Sequence, residues 1–152
     1  MAQNSTSGCA STDAIALARR AFEGFRDALR SGDGDLYART VAEDIRFHVA
    51  FPIRGWQGEQ RGRDRIRELI RIEYDELGLR AELVETALFG SGSMATIEFD
   101  VVARVNGAEY RNHNCLIVEV KGGEVVGLRE FVGEMDPDAL RPIVNAQPVT
   151  EK

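Results

Sequence analysis

Much that would place this chain in a specialised class is missing. It has only two cysteines, Cys9 and Cys115. They fall in an expected tail and an expected strand, so both are read as reduced thiols rather than as a disulfide framework. No stretch approaches the ~18 consecutive apolar residues of a membrane span, so no membrane partner is expected. The opening MAQNSTSGCASTD has neither a basic start nor an apolar core. It does not read as a secretory signal, and a cytoplasmic location is expected. Positive charge is in the minority, with 19 Lys and Arg against 25 Asp and Glu and a net charge of −6. Nucleic-acid binding calls for a basic stripe. The densest basic stretch, Arg54 to Arg71, is interrupted by Glu59, Asp64 and Glu68, which is the pattern of a solvated helix face. No nucleic-acid partner is expected. The two histidines, His48 and His113, form no HxH or HExxH pattern, so no metal is expected. There is no nucleophilic triad and no glycine-rich phosphate loop, and no cofactor is expected.

What remains is an ordinary globular composition: 152 residues, 43% hydrophobic and 29% charged. That is enough for one domain with a sizeable core. Residues 1–11 read as a disordered tail, 12–143 as a single domain and 144–152 as a second tail. Ser11 or Thr12 can cap a helix whose apolar residues Ile15, Ala18, Phe22, Phe25 and Leu29 recur at helical spacing. SGDGD at 31–35 ends it. A short helix is predicted from Leu36 to Val41, and a strand over Ile45–Phe51. Residues 53–60 read as a loop. A helix over Arg63–Leu77 buries Ile66, Leu69, Ile70 and Tyr74 and stops at Gly78. Four strands follow, over Leu79–Phe89, Met94–Val105, Ala108–Val120 and Val125–Val132. The turns GSGS, Asn106-Gly107 and Gly122-Gly123 join them. Asp136-Pro137-Asp138 can open a last short helix. Helices first and hairpin-joined strands after make an α+β domain. A curved mixed sheet with helices on its concave face would enclose a pocket for a small-molecule ligand.

Three motifs, in this order and spacing, carry a resemblance: ALRSGDGDLYARTVAEDIRF (28–47), RGRDRIREL (61–69) and GGEVVGLREFVGEMD (122–136). With the strand order they cover residues 12–143. The chain resembles the nuclear transport factor 2-like superfamily, the cone-shaped α+β fold of ketosteroid isomerase, limonene-epoxide hydrolase and the SnoaL-like polyketide cyclases. The resemblance puts the isomerase's tyrosine on Phe25, its proton-moving aspartate on Val49 and its oxyanion acid near Leu116. All three are apolar, so that triad is absent. It puts the epoxide hydrolase's two aspartates on Glu130 and Asp100. The hydrolase's arginine falls on Glu98, its tyrosine on Phe47 and its asparagine on Val49. The cyclases place their general base in the last strand, where Glu130 stands.

The candidate chemistry follows from strand parity. In the last strand Val126, Leu128, Glu130 and Val132 share one face. A carboxylate among Val and Leu is desolvated, which raises its pKa toward the range useful for moving protons. The bland reading pairs Glu130 with a cation at the end of the sheet. In the strand Met94–Val105, Glu98 and Asp100 lie on one face and Ile97, Phe99, Val101 and Ala103 on the other. Periodicity alone buries the second face. The resemblance implies the opposite: the acids line the pocket as catalytic partners of Glu130, and the apolar face covers a homodimer interface. Asn112 and Asn114 share a face with Leu116 and could orient a ligand or satisfy each other. Phe25, Phe47, Val49, Leu116 and Leu128 are expected to line the pocket, with Trp56 at its mouth.

Two functions fit. One is a cofactor-free isomerase, cyclase or hydrolase acting on an apolar or polycyclic metabolite through Glu130. The other is a non-catalytic ligand-binding or assembly domain of the same fold. A pocket filled by side chains would favour the second.

Overall fold

The computed structural model describes residues 9–133, with side chains from Ala14 onward. Helix α1 spans Cys9–Ser31 and α2 spans Asp35–Ala38. Strands β1 (Arg46–His48) and β2 (Gln60–Arg61) follow, then α3 (Arg63–Arg71), which continues into a π turn over Ile72–Glu76. The long strands are β3 (Leu79–Ser91), β4 (Met94–Val105), β5 (Ala108–Lys121) and β6 (Glu124–Val132). They form one six-stranded sheet in the order β2-β1-β6-β5-β4-β3, with β1 parallel to β6 and the other pairs antiparallel. This is the expected α+β architecture: a curved mixed sheet with α1 laid across β3 and β4 on one face. None of the described helices is long and apolar enough to cross a membrane.

Three tight hairpins build the sheet. Each leaves two residues between its strands: Gly92-Ser93, Asn106-Gly107 and Gly122-Gly123. Asn106 and Gly107 both have positive φ, at 49° and 83°. That is the left-handed pair whose twist matches a hairpin. The strand boundaries after residue 79 differ from the sequence reading by at most two residues.

The structure corrects several expectations. Helix α1 is already formed at Cys9, so Ser11 and Thr12 lie inside it rather than capping it. The first strand stops at His48, and the expected loop 53–60 supplies Gln60 to β2. The short helix at Asp136-Pro137-Asp138 and the tail 144–152 lie outside the described residues.

The largest correction concerns the faces of β4. Ile97, Phe99, Val101 and Ala103 are at most 4% exposed and belong to the core, where Phe99 meets Phe22 of α1 with ring centroids 5.1 Å apart. Burying Ile97, Phe99 and Val101 contributes roughly 1.5–3 kcal/mol each. Glu98 and Asp100 therefore point to the outer face, as simple alternation requires. A second copy of the chain is not needed to cover that apolar run.

A second correction comes from a bulge. Gly127 pairs with Glu119 and Val125 with Val120, so Val126 is an extra residue in β6. The bulge reverses the parity of the strand. Val125, not Val126, joins the buried face of Leu128 and Glu130, and it is fully buried.

Candidate active site

Under the helices, at the β1 side of the sheet, lies a hollow. Its lining comes from Phe25 of α1, Tyr37 of α2, Phe47 of β1, Leu69 of α3, Glu73 of the π turn, Leu116 of β5 and Leu128 and Glu130 of β6. His48 and Val49 complete it. The other apolar linings are buried, whereas His48 is exposed and Val49 half-buried, so the mouth is on their side. The hollow leaves about 20 Å³ open to the centres of water molecules, which is room for roughly one water.

Glu130 reaches the hollow because it follows Leu128 on the inner face of β6, opposite Leu116. Asn114 donates from Nδ2 to Glu130 Oε1 at 2.9 Å. This bond favours the ionised form. Desolvation outweighs it and pushes Glu130 up to about 7. Glu130 keeps partial accessibility toward the mouth, yet its carboxyl is enclosed by the apolar lining. Among the described residues it has no cationic partner: its one side-chain hydrogen bond is to Asn114.

Glu73 is the residue the sequence reading missed. It is 2% exposed. Ile66, Leu69 and Ile70 form the buried stripe of α3, and i, i+3, i+4, i+7 from Ile66 lands on Glu73. The π turn, closed by Leu77 N–H to Ile72 O at 2.8 Å, then shifts the register. Tyr74, expected in the core, turns outward to lie under the Arg80 guanidinium, 3.5 Å from its ring centroid. Burial and the neighbouring Glu130 charge hold Glu73 well above the usual carboxylate range. Its Oε2 is buried with no hydrogen-bond partner among the described residues, as is Asn114 Oδ1. Tyr37 is also pushed up, first by burial, then by the charges of Glu130 and Glu73. Its ring packs on Phe25 at 5.0 Å.

The remaining sequence candidates separate into two groups. Phe25, Phe47, Val49, Leu116, Leu128 and Glu130 meet in the hollow, and Asn114 supports Glu130. The rest lie elsewhere. Asn112 donates to the Tyr110 hydroxyl at 3.1 Å. Trp56 is a core residue beneath Arg65, whose guanidinium lies 3.4 Å from the ring centroid. Glu98 and Asp100 sit on the outer face, where Asp100 Oδ1 meets His113 Nδ1 at 2.7 Å and Glu98 lies 3.7 Å from Nε2. Asp100 chiefly, then Glu98, raise the pKa of His113. The acids therefore do not converge on Glu130, because alternation in β4 commits them to the other side.

A roomier groove, about 280 Å³ by the same measure, opens on the outer face beside Arg46, His48, Glu119 and Arg129. Its charges are solvated: Arg46 and Glu119 pair at 3.3 Å with both side chains 45% exposed. It lacks the desolvated acids that single out the hollow. Among the described residues no group of three His, Cys, Asp or Glu side chains could hold a metal ion.

The family model of the SnoaL-like domain matches residues 22–128. The chain belongs to the SnoaL-like domain family. The matched span of this SnoaL-like domain includes every lining residue of the hollow except Glu130, which stands two positions beyond it. Solved structures agree on the fold. An NTF2-like protein from Anabaena variabilis is 19% identical, covers 89% of this chain and 96% of its own, and has a TM-score of 0.72. An LEH-like epoxide hydrolase from M. tuberculosis is 22% identical over 88% of this chain and 94% of its own, at a TM-score of 0.62. A putative polyketide cyclase from Xanthomonas campestris is 18% identical over 81% and 92%, also at 0.62. No curated protein matches the sequence.

Proposed function

We propose that this SnoaL-like domain is a cofactor-independent enzyme that moves a proton on an apolar small molecule, with Glu130 as general base and acid. The observation that carries the reading is the placement of Glu130. A carboxyl enclosed by Phe25, Phe47, Leu116 and Leu128, held by one amide and lacking a cationic partner among the described residues, is costly to keep for structure alone. A pKa of about 7 makes the group half-ionised at neutral pH, the condition under which it both takes and returns a proton. Isomerisation, cyclisation or addition of water all fit such a group. The family and its structural neighbours include proteins of these kinds.

The small free volume favours a second reading, a binding module with a filled pocket. Against it stand two acids facing one hollow, Glu73 buried and Glu130 desolvated by the apolar lining, which an inert core would exclude. Glu130→Gln separates the two readings. It should abolish turnover in the enzyme and leave ligand affinity nearly unchanged in a module.

A homodimer through the outer sheet face belongs to this proposal, on different residues from those first expected. Val84, Phe89, Val102 and Phe131 are 40–61% exposed, and strand register puts them all on that face. Exposed apolar side chains gathered on one face support a second copy as its occupant.

A further inference from the structure

A second groove on the outer face lies along β3, β4 and β5 beside the β4–β5 hairpin, toward the opposite edge of the sheet from the hollow. It leaves about 290 Å³ open to the centres of water molecules. Its lining is Arg80, Val102, Ala103, Arg104, Glu109 and Arg111. Three guanidiniums share it with one carboxylate, in a chain whose net charge is −6. Arg80 stands directly opposite Arg104 across β3 and β4. Like charges so placed destabilise a sheet, and an anion between them would remove that cost. We infer that this groove binds the phosphate group of a small phosphate monoester, with Arg80, Arg104 and Arg111 as its ligands. This site is independent of the reading of Glu130.

The nearby acids leave two of the three cations unpaired. Glu82 stands opposite Val102 on the same face, yet it is turned to Arg30 of α1 at 2.6 Å. Glu109 Oε1 accepts from Arg111 Nε at 2.7 Å. Arg111 chiefly, then Arg104, hold the Glu109 carboxyl below the usual carboxylate range. Glu109 therefore stays ionised and fixes Arg111. The one side-chain hydrogen bond of Arg104 among the described residues goes to Gly107 O at 3.3 Å. Arg80 has no carboxylate partner among the described residues. Its Nη1 donates to Tyr74 O at 2.7 Å and to Leu79 O at 2.9 Å. Its guanidinium lies 3.5 Å from the Tyr74 ring centroid. These contacts fix the plane of the group and leave Nε and Nη2 without an acceptor among the described residues. The π turn gives Tyr74 this position, by moving it off the buried stripe of α3.

The charge and the donors select the ligand. A guanidinium held flat on an aromatic ring, with N–H donors to spare, suits two oxygens of one phosphate. Three positive groups and one negative leave a local charge of two, which a phosphate monoester matches near neutral pH. A carboxylate occupies one guanidinium and leaves the others facing each other. A metal cation is repelled. A nucleic acid needs a continued basic track, and Glu82 and Glu109 stand on this face instead. Val102, 40% exposed, offers the organic part of the ligand an apolar contact. The space is close to the lower end of small-molecule sites, about 300 Å³. Because the hollow lies on the other face of the sheet, the phosphate monoester is a second ligand and not the molecule on which Glu130 acts.

Phenyl phosphate is the probe, titrated into the nitrogen-15-labelled full chain and followed by NMR. It should give saturable shifts in the Nε–H signals of Arg80, Arg104 and Arg111 and in the backbone amides of the Asn106-Gly107 turn. Benzoate, with the same ring and less charge, should bind about 10-fold more weakly or worse, and Arg104→Ala should weaken phenyl phosphate by as much, the scale of one lost charge-assisted hydrogen bond. Arg80→Lys keeps the charge and loses the planar fork. Tyr74→Leu keeps every charge and loses the platform. Arg80 is exposed and Tyr74 half-buried, so both variants should fold, and both should bind more weakly. Wild-type affinity in these two variants would mean that diffuse positive charge attracts the ion, and it overturns the site. Equal affinity for benzoate, or no saturable binding by the wild-type protein, overturns it as well. Glu130→Gln should bind phenyl phosphate as the wild type does. A changed affinity there would put the phosphate in the hollow and overturn this inference, while the role of Glu130 keeps its own test in turnover. Phe89→Glu should also bind normally, and loss of binding in it would overturn the assignment of the site to a single chain.

Discussion

Replacing Glu130 by Gln keeps the shape of the side chain and the acceptor oxygen that Asn114 uses, and removes the ionisable group. The effect on stability can be worked from the raised pKa. An acid whose folded pKa lies above its unfolded value binds its proton more tightly in the native state. Stability is then greatest below the unfolded pKa and falls as pH rises between the two values. For Glu130 the window runs from about 4.5 to about 7. At 1.36 kcal/mol per unit, the loss accumulated by pH 7 is about 3 kcal/mol. Glu130→Gln carries no such loss. The variant should melt with the wild-type protein at pH 4 and above it at pH 8. The gap should be on the order of 6–12 °C, taking ~2–4 °C per kcal/mol for a chain of this size. Differential scanning calorimetry over that pH range measures it. A structural carboxylate paired with a cation gives the opposite sign, because its partner would be left buried and alone at a cost of roughly 3–5 kcal/mol. A variant that melts lower at pH 8, or a gap independent of pH, would refute the argument for a desolvated base.

Other consequences test the rest of the site. Gly24→Ala would place a Cβ 2.5 Å from Leu36 O and 2.8 Å from Thr40 Cγ2. It should push α2 and Tyr37 outward and cost about 1–3 kcal/mol in urea denaturation, more than the ~1 kcal/mol that alanine gains over glycine in a helix. Asp100→Asn should lower the pKa of His113, read by NMR titration, because the Asp100 hydrogen bond is the largest cause of its rise. Light scattering should find a dimer at micromolar concentration, and Phe89→Glu or Phe131→Glu should convert it to a monomer. A monomeric wild-type protein would remove the dimer from the proposal.

Local chemistry made most of the fold legible. Asn106-Gly107 and Gly122-Gly123 demand left-handed backbone, and alternating runs on either side of them fix the hairpins. The same alternation correctly buried Ile97, Phe99, Val101 and Ala103. The expectation that reversed those faces came from resemblance and not from the residues. Leu128 and Glu130 were placed together because they are two apart in one strand, and that relation is also local.

The acid pair was a different matter. The spacing Ile66, Leu69, Ile70, Glu73 is a readable stripe, and only the presence of a charge at its end argued against reading it. Two irregular features lay beyond the sequence pattern. The π turn at Ile72–Glu76 moved Tyr74 out, and the bulge at Val126 exchanged it for Val125. Each adds a residue to a regular repeat, and nothing in the residue types marks where. The meeting of Tyr37, Glu73 and Glu130 was decided by tertiary structure alone. Their elements are far apart in the chain and come together through packing of α2 and the π turn over the inner face of β6. The perturbed ionisation arises there as well: a glutamate is shifted by the water it loses and the charge it faces, and both are properties of the assembled hollow.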